Sequence, residues 1–144
     1  MNEQIRVAIA ILYRQNQFLM QLRDNIPGIL YPGHWGLFGG HIEPGELPDA
    51  AAIRELQEEI NYTPSTISKF DCYSDTRVIR HVYHAPLTVD LDQLVLQEGW
   101  DLGLLTPEQI LEGECYSKKA QAIKPLGTPH QKILLDFIQL KLYS

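Results

Sequence analysis

The apolar residues of this chain recur with two different periods, and the changes of period divide it into elements. Ile5 to Tyr13 is β-branched and apolar throughout, which predicts a buried strand. Gln15-Asn16 turns the chain, and Gln17 to Arg23 follows as the second arm of a hairpin. Asp24 to Gly33 carries two prolines and two glycines and reads as a loop. Trp35 to Ile42 reads as one short strand that breaks into a turn around Gly39-Gly40. Pro48 to Ile60 has helical spacing, and Pro48 suits the first helical position, where its missing N–H loses nothing. Leu47 has no side-chain oxygen to cap this helix, so another residue must satisfy the first amides.

Ser65 to Tyr73, Arg77 to Leu87 and Gln93 to Gln97 read as three further strands. Thr106, ahead of Pro107-Glu108, is the N-cap of a short helix. A last helix runs from Thr128-Pro129 to about Leu142. Its stripe of Ile133, Leu134, Phe137, Ile138 and Leu142 either caps the sheet, the simpler use, or forms a homodimer contact. Strands, helix, strands and two helices in that order predict a mixed sheet covered by helices, an α+β or α/β sandwich. No repeat, low-complexity tract or polar linker interrupts the pattern, so residues 1–144 are expected to form one domain.

The helix from Pro48 to Ile60 carries the candidate chemistry. With about 100° per residue and Glu55 set at zero, Glu59 falls near about +40° and Glu58 near about −60°. The three carboxylates therefore share a face, while Ile53, Leu56 and Ile60 form the adjacent apolar side. Like charges three and four positions apart repel, and glutamates near a helix C-terminus oppose its dipole. A divalent cation would reverse both penalties, since carboxylates are hard oxygen ligands suited to Mg²⁺ or Mn²⁺. A solvated acidic face is the plain alternative. The context argues against it: Gly39-Gly40 permits close backbone approach just before the helix, and Pro44-Gly45 marks a second tight turn.

The segment GHIEPGELPDAAAIRELQEEINY, residues 40–62, resembles the Nudix box, a pattern of the form G-x5-E-x7-REUxEExGU with U a bulky apolar residue. Gly40, Glu46, Arg54, Glu55, Leu56, Glu58, Glu59 and Tyr62 match at every spacing. Asn61 stands where the family has glycine, and asparagine is the next-best residue for the left-handed turn that follows a helix. Trp35-x-x-Phe38-Gly39-Gly40 is similar to the MutT-like branch, which usually has proline where Phe38 stands.

This resemblance implies an α/β/α sandwich with a mixed sheet between helices. It implies a Nudix pyrophosphohydrolase that splits a phosphoanhydride bond in a nucleoside diphosphate joined to another group, with Mg²⁺ as cofactor and Mn²⁺ as a substitute. Glu55, Glu58 and Glu59 would bind the metal, with the carbonyl of Gly39 as a further ligand. Arg54 would orient these glutamates and Glu46 would buttress the loop. Glu55 is one candidate base. Glu98, in a later loop, is another, and an exposed turn glutamate is its plain reading. A nucleoside triphosphate or a nucleotide-sugar is the preferred substrate, since no marker of another subfamily stands outside the box. The competing functions are a Nudix-like sensor that binds a nucleotide without cleaving it, and a diphosphate isomerase of the same fold. The complete set of box glutamates argues for hydrolysis.

For substrate contacts, Arg23 is a candidate phosphate ligand, and Trp35, Phe38 and Trp100 are candidates to stack a base, as are Tyr73 and Tyr83. Core packing is the competing use of each ring. His81 and Tyr83 fall on one face of their strand and His84 on the other.

Composition adds exclusions. The net charge of −6 over 144 residues disfavours nucleic acid as a partner. The longest apolar run is far shorter than the roughly 20 residues that span a bilayer. The polar start, Met1 to Arg6, lacks a signal-peptide layout, so a cytoplasmic protein with a small nucleotide partner is expected. Cys72 and Cys115 have no partners at metal-ligand spacing and read as free thiols.

Overall fold

The computed structural model describes residues 4–140. The hairpin of β1 (Ile5–Arg14) and β2 (Gln17–Leu22) is paired beside its turn, from Leu12 opposite Leu19 to Arg14 opposite Gln17. Past Leu12 the two strands part, and one segment fills the gap. Its β3 (Trp35–Gly36) bonds to β2, with Gly36 opposite Gln21. After Leu37, β4 (Phe38–His41) bonds instead to β1, with Gly39 opposite Ile9. The sheet therefore forks, and the single strand predicted from Trp35 to Ile42 is two short strands on different partners.

On the far edge of β1 the sheet continues through β5 (Ser68–Ser74) and β6 (Val78–Pro86). These two are antiparallel, and β6 lies parallel to β1 from Ile5 opposite Val78 to Tyr13 opposite Pro86. The outer edge of β2 takes β7 (Asp101–Leu105), antiparallel. The strand predicted at Gln93–Gln97 is not one. Leu91–Gln93 is a single 3₁₀ turn, and the amides beyond it go to a helix end rather than to a strand.

That helix is α1 (Pro48–Ile60), which covers one face of the sheet. Leu56 and Ile60 pack among Ala10, Leu12, Leu19 and Phe38, while Ala51 and Ala52 meet Ala8 and Tyr83. Leu47 indeed offers no side-chain cap, and the Ala50 amide donates to Asp49 Oδ1 instead (2.8 Å). At the other end Asn61 adopts φ 54° and its amide donates to the Gln57 carbonyl, as the left-handed cap requires.

The opposite face is covered from the C-terminal part. The short α2 (Pro107–Glu112) is capped by Thr106, whose hydroxyl accepts from the Gln109 amide (3.3 Å). A hairpin of β8 (Glu114–Ser117) and β9 (Ala122–Pro125), absent from the sequence reading, stands apart from the main sheet. Then α3 (Thr128–Leu140) lays Ile133, Leu134 and Phe137 onto Ile9, Ile11, Phe18, Met20 and Val82. Its apolar stripe caps the sheet, and Leu142 lies outside the described residues. The result is an α/β/α sandwich around a mixed sheet. Among the described residues both cysteines are free, and no helix is long and apolar enough to cross a membrane.

One side chain ties α3 to the fork. His130 Nδ1 accepts the Leu37 amide (3.1 Å), at the residue where the chain steps from β2 to β1. Burial, with Arg80 and Arg23 nearby, depresses the His130 pKa to about 4. The folded chain therefore keeps this imidazole neutral, while the unfolded chain takes up a proton below about pH 6.5. The stability involved is complete above that value and is lost as pH falls towards 4, to the extent of about 1–3 kcal/mol. We predict that His130→Asn, whose Oδ1 can still accept the Leu37 amide, flattens this acid-side decline in thermal melts between pH 6.5 and 4. An unchanged slope would mean that another group carries it.

Candidate functional site

The fork opens into a cleft of about 390 Å³, lined by β2, β4, α1 and the loops Asp24–Gly33 and Glu98–Gly99. That volume is in the range of small-molecule sites. Glu55, Glu59, Glu98, Arg54, Gly39, Gly40 and Arg23 all line it.

Arg54 organises one wall. Its Nε donates to Glu46 Oε2 (2.8 Å) and its Nη2 to Glu46 Oε1 (3.0 Å), a bidentate pair. Nη1 donates to Glu55 Oε1 (2.9 Å) and Glu58 Oε1 (3.3 Å), and Nη2 also reaches the His41 carbonyl (3.0 Å). Arg54 thus does more than form a surface pair with Glu58. The guanidinium holds the Glu46 carboxyl down at about 2, and Glu46 in turn raises the Arg54 pKa. Glu46 also accepts from the Glu43 amide (3.0 Å), which closes the turn ahead of α1.

The three helix glutamates are graded in depth. The Glu58 side chain is 52 % exposed and does not line the cleft. The Glu55 side chain is 13 % exposed, and burial raises its pKa despite Arg54. Its carboxylate lies over Gly40, where a Cβ would overlap it, so a larger residue here would displace Glu55 from this position. Glu59 is the deepest, at 3 % exposure. Its Oε2 accepts from Gln21 Nε2 (2.8 Å) and its Oε1 from the Gly39 amide (3.2 Å). Glu59 makes no salt bridge among the described residues. Burial, with the charges of Glu55 and Glu98 added, pushes its pKa up to about 8 against those two hydrogen bonds.

Glu98 is brought here by the segment that is not a strand. Val95 N donates to the Ile60 carbonyl (3.1 Å) and Gln97 N to the Glu59 carbonyl (2.8 Å). Gln97 Nε2 reaches the Gln57 carbonyl (2.9 Å). These donors satisfy the free carbonyls at the end of α1, and so fix the following residue beside Glu59.

The aromatic candidates are corrected. Trp35 is 1 % and Phe38 0 % exposed, both within the core, and Trp35 Nε1 donates to the Cys115 carbonyl (3.0 Å). Neither ring can receive a base. Trp100 does not line the cleft, and Lys124 Nζ stands 5.3 Å from its ring centroid. Tyr83 packs under α1, and Tyr73 donates to Asp136 (2.8 Å) beside α3. Arg23 does line the cleft, and its Nε is buried without a hydrogen-bond partner among the described residues. Sequence reasoning passed over Gln21, Ile26 and Ile29. A glutamine between Met20 and Leu22 in an apolar strand was the available signal, since a buried amide demands a partner.

A model of the NUDIX domain matches residues 3–126. The chain belongs to the Nudix hydrolase family. An ADP-ribose pyrophosphatase of Methanocaldococcus jannaschii is 28 % identical over 133 residues, 91 % of this chain and 71 % of that one. A nucleoside triphosphatase NudI of Escherichia coli is 31 % identical over 97 residues, 57 % of this chain and 68 % of that one. A Bacillus subtilis relative is 32 % identical over 65 residues, and the match spans only 40 % of that relative's length. Among solved structures, a MutT studied from Aliivibrio salmonicida and Vibrio cholerae superposes with TM-score 0.73 at 19 % identity, covering 96 % of this chain and 99 % of that one. The Nudix domain of Shewanella oneidensis NrtR, solved with ADP-ribose, gives 0.73 at 20 %, covering 99 % and 90 %. These solved structures, a MutT among them, share the fold of the chain.

Family members of this kind work with a divalent cation, and the donors here suit one in kind. Glu55 and Glu59 are hard-oxygen groups whose charged form burial disfavours, and a cation bound there would offset that cost. Among the described residues no group of three or more His, Cys, Asp or Glu side chains is already assembled to hold a metal ion. Arg54 holds Glu55 and Glu58 to its own side, so a cation must draw the carboxylates together. The folded chain, with Glu59 raised to about 8, binds a proton that the unfolded chain releases above about pH 4.5. We predict that metal-free protein loses stability as pH rises from 6.5 to 8, above the range in which His130 acts in the opposite direction, and that Glu59→Gln removes this loss. Urea midpoints across that range test it, and a variant as pH-sensitive as the parent would contradict the assignment.

Proposed function

We propose that this chain is a divalent-metal-dependent pyrophosphohydrolase acting on a nucleoside diphosphate joined to a further group. One observation carries the reading: the buried Glu59 carboxyl, which has no salt bridge among the described residues, shares a cleft with Glu55 and Glu98. Glu55, Glu58 and Glu59, with the Gly39 carbonyl, are the groups that would hold Mg²⁺ or Mn²⁺. Bound there, the cation would offset charge on the diphosphate oxygens and make a water more acidic.

The chain's own residues supply the rest. Arg54 holds Glu55 and Glu58 against rotation and keeps Glu46 on the turn before α1. Glu55 takes the proton of the attacking water, and burial moves its pKa in the direction a base needs. The water oxygen bonds to phosphorus, the bridging P–O bond breaks, and the leaving phosphate keeps the electron pair. Glu98, exposed at the edge of the cleft, is the second candidate base. Arg23 lines the cleft and offers its guanidinium for a charge-assisted contact to a phosphate oxygen. Ile26 and Ile29 give the leaving or nucleoside group an apolar wall in place of the aromatic rings. A nucleoside triphosphate or nucleotide-sugar is the substrate we favour, and the likeness to NudI supports the first.

Incubation with nucleoside triphosphates, nucleotide-sugars, ADP-ribose and dinucleoside polyphosphates, each with Mg²⁺, Mn²⁺ or EDTA, tests this. Cleavage of at least one substrate is expected only with metal. Glu55→Gln should lower kcat by about 100- to 10,000-fold, and Glu98→Gln by much less. The reverse order would move the base to Glu98. No turnover by folded protein that still gains thermal stability from a nucleotide would favour the sensor.

A further inference from the structure

Gln21 projects from β2, is 5 % exposed and lines the cleft, yet no feature of the Nudix box includes it. A carboxylate has about four acceptor positions. Gln21 Nε2 and the Gly39 amide occupy one on each Glu59 oxygen, at 2.8 and 3.2 Å. These two donors come from the two strands that the fork separates, β2 and β4, so together they fix the rotation of the carboxylate about its last torsion. The other end of the Gln21 amide is also confined. Its Oε1 lies 2.9 Å from where a Cβ of residue 99 would stand, and that residue is glycine at φ +107°. Gln21 is therefore wedged between Glu59 and the loop that carries Glu98. Were it only filling space, an aliphatic side chain among Met20 and Leu22 would do so without an amide to satisfy.

We propose that Gln21 is a positioning residue for the cation of this cleft, holding Glu59 in the orientation that ligates it. The proposal rests on the metal-dependent reading above. Partners of this kind typically alter metal affinity by about 10- to 100-fold when removed.

The test is direct titration of the protein with Mn²⁺, following free ion by electron paramagnetic resonance without substrate. Gln21→Met removes the amide and keeps most of the volume, whereas Gln21→Ala removes both. Positioning predicts that both bind Mn²⁺ about 10- to 100-fold more weakly, to a similar degree, although Gln21→Ala melts lower. It also predicts that excess Mn²⁺ restores kcat while substrate KM stays near the parent value. Ser117→Ala, which deletes a buried hydrogen bond to Asp101, should lower Tm and leave Mn²⁺ binding unchanged. Parent-like Mn²⁺ affinity in folded Gln21→Met overturns the proposal, as does an affinity loss that merely follows Tm across the variants. Failure of Gln21→Met to fold would assign Gln21 to packing and overturn it equally. Absence of Mn²⁺ binding by the parent protein would instead sink the functional reading, and this inference with it.

Discussion

The arrangement of the cleft depends on one guanidinium that has more acidic neighbours than it can neutralise. Arg54 bonds Glu46 with two nitrogens, Glu55 and Glu58 with the third, and the His41 carbonyl as well. It joins β4, the turn before α1 and the helix face into one unit. A single positive charge facing four carboxylates, those of Glu43, Glu46, Glu55 and Glu58, leaves a deficit, and the deeper Glu59 accepts from the neutral Gln21 and Gly39 N–H groups. The deficit is concentrated on the side of α1 that faces the cleft. A site built this way is incomplete in charge, and its geometry favours a ligand that brings positive charge with it.

The fork supplies the place for that ligand. Because β3 follows β2 while β4 follows β1, Gly39 and Gly40 pair with β1 on one edge only, and the Gly39 amide on the other edge donates to Glu59. The end of α1 does a second service. Its last carbonyls need donors, and the segment Val95–Gln97 provides them, which sets Glu98 next to Glu59. Local hydrogen-bond satisfaction and assembly of the site are here the same event.

Much of this was legible in the sequence because helical spacing and capping rules are local. The bounds of α1, its left-handed end at Asn61, the cap at Thr106 and the burial of Ile133, Leu134 and Phe137 all follow from residues within a few positions. The rest depends on partners distant in the chain. Asp101–Leu105 pairs with β2, from Leu22 opposite Asp101 to Phe18 opposite Leu105, although it has no β-branched residue. Gln93–Gln97 has strand-like composition, but its amides are claimed by a helix end. Trp35 and Phe38 could be read as stacking platforms because a periodic pattern gives the direction of a ring and not what lies against it; the fork encloses both.

The loop Asp24–Gly33 enters and leaves the sheet at a single point, where the Arg23 amide donates to the His34 carbonyl (2.9 Å). Its ends are thus closed by β2 and β3 whatever its length, and doubling a flexible loop costs only about 0.6 kcal/mol. Asp24, Ile26 and Ile29 reach the cleft from this loop, while Glu55, Glu59, Glu98 and Arg54 lie elsewhere. Lineages of this fold are consequently free to exchange or extend the recognition segment in one genetic step, acquiring new molecular preferences while inheriting the reactive apparatus unchanged.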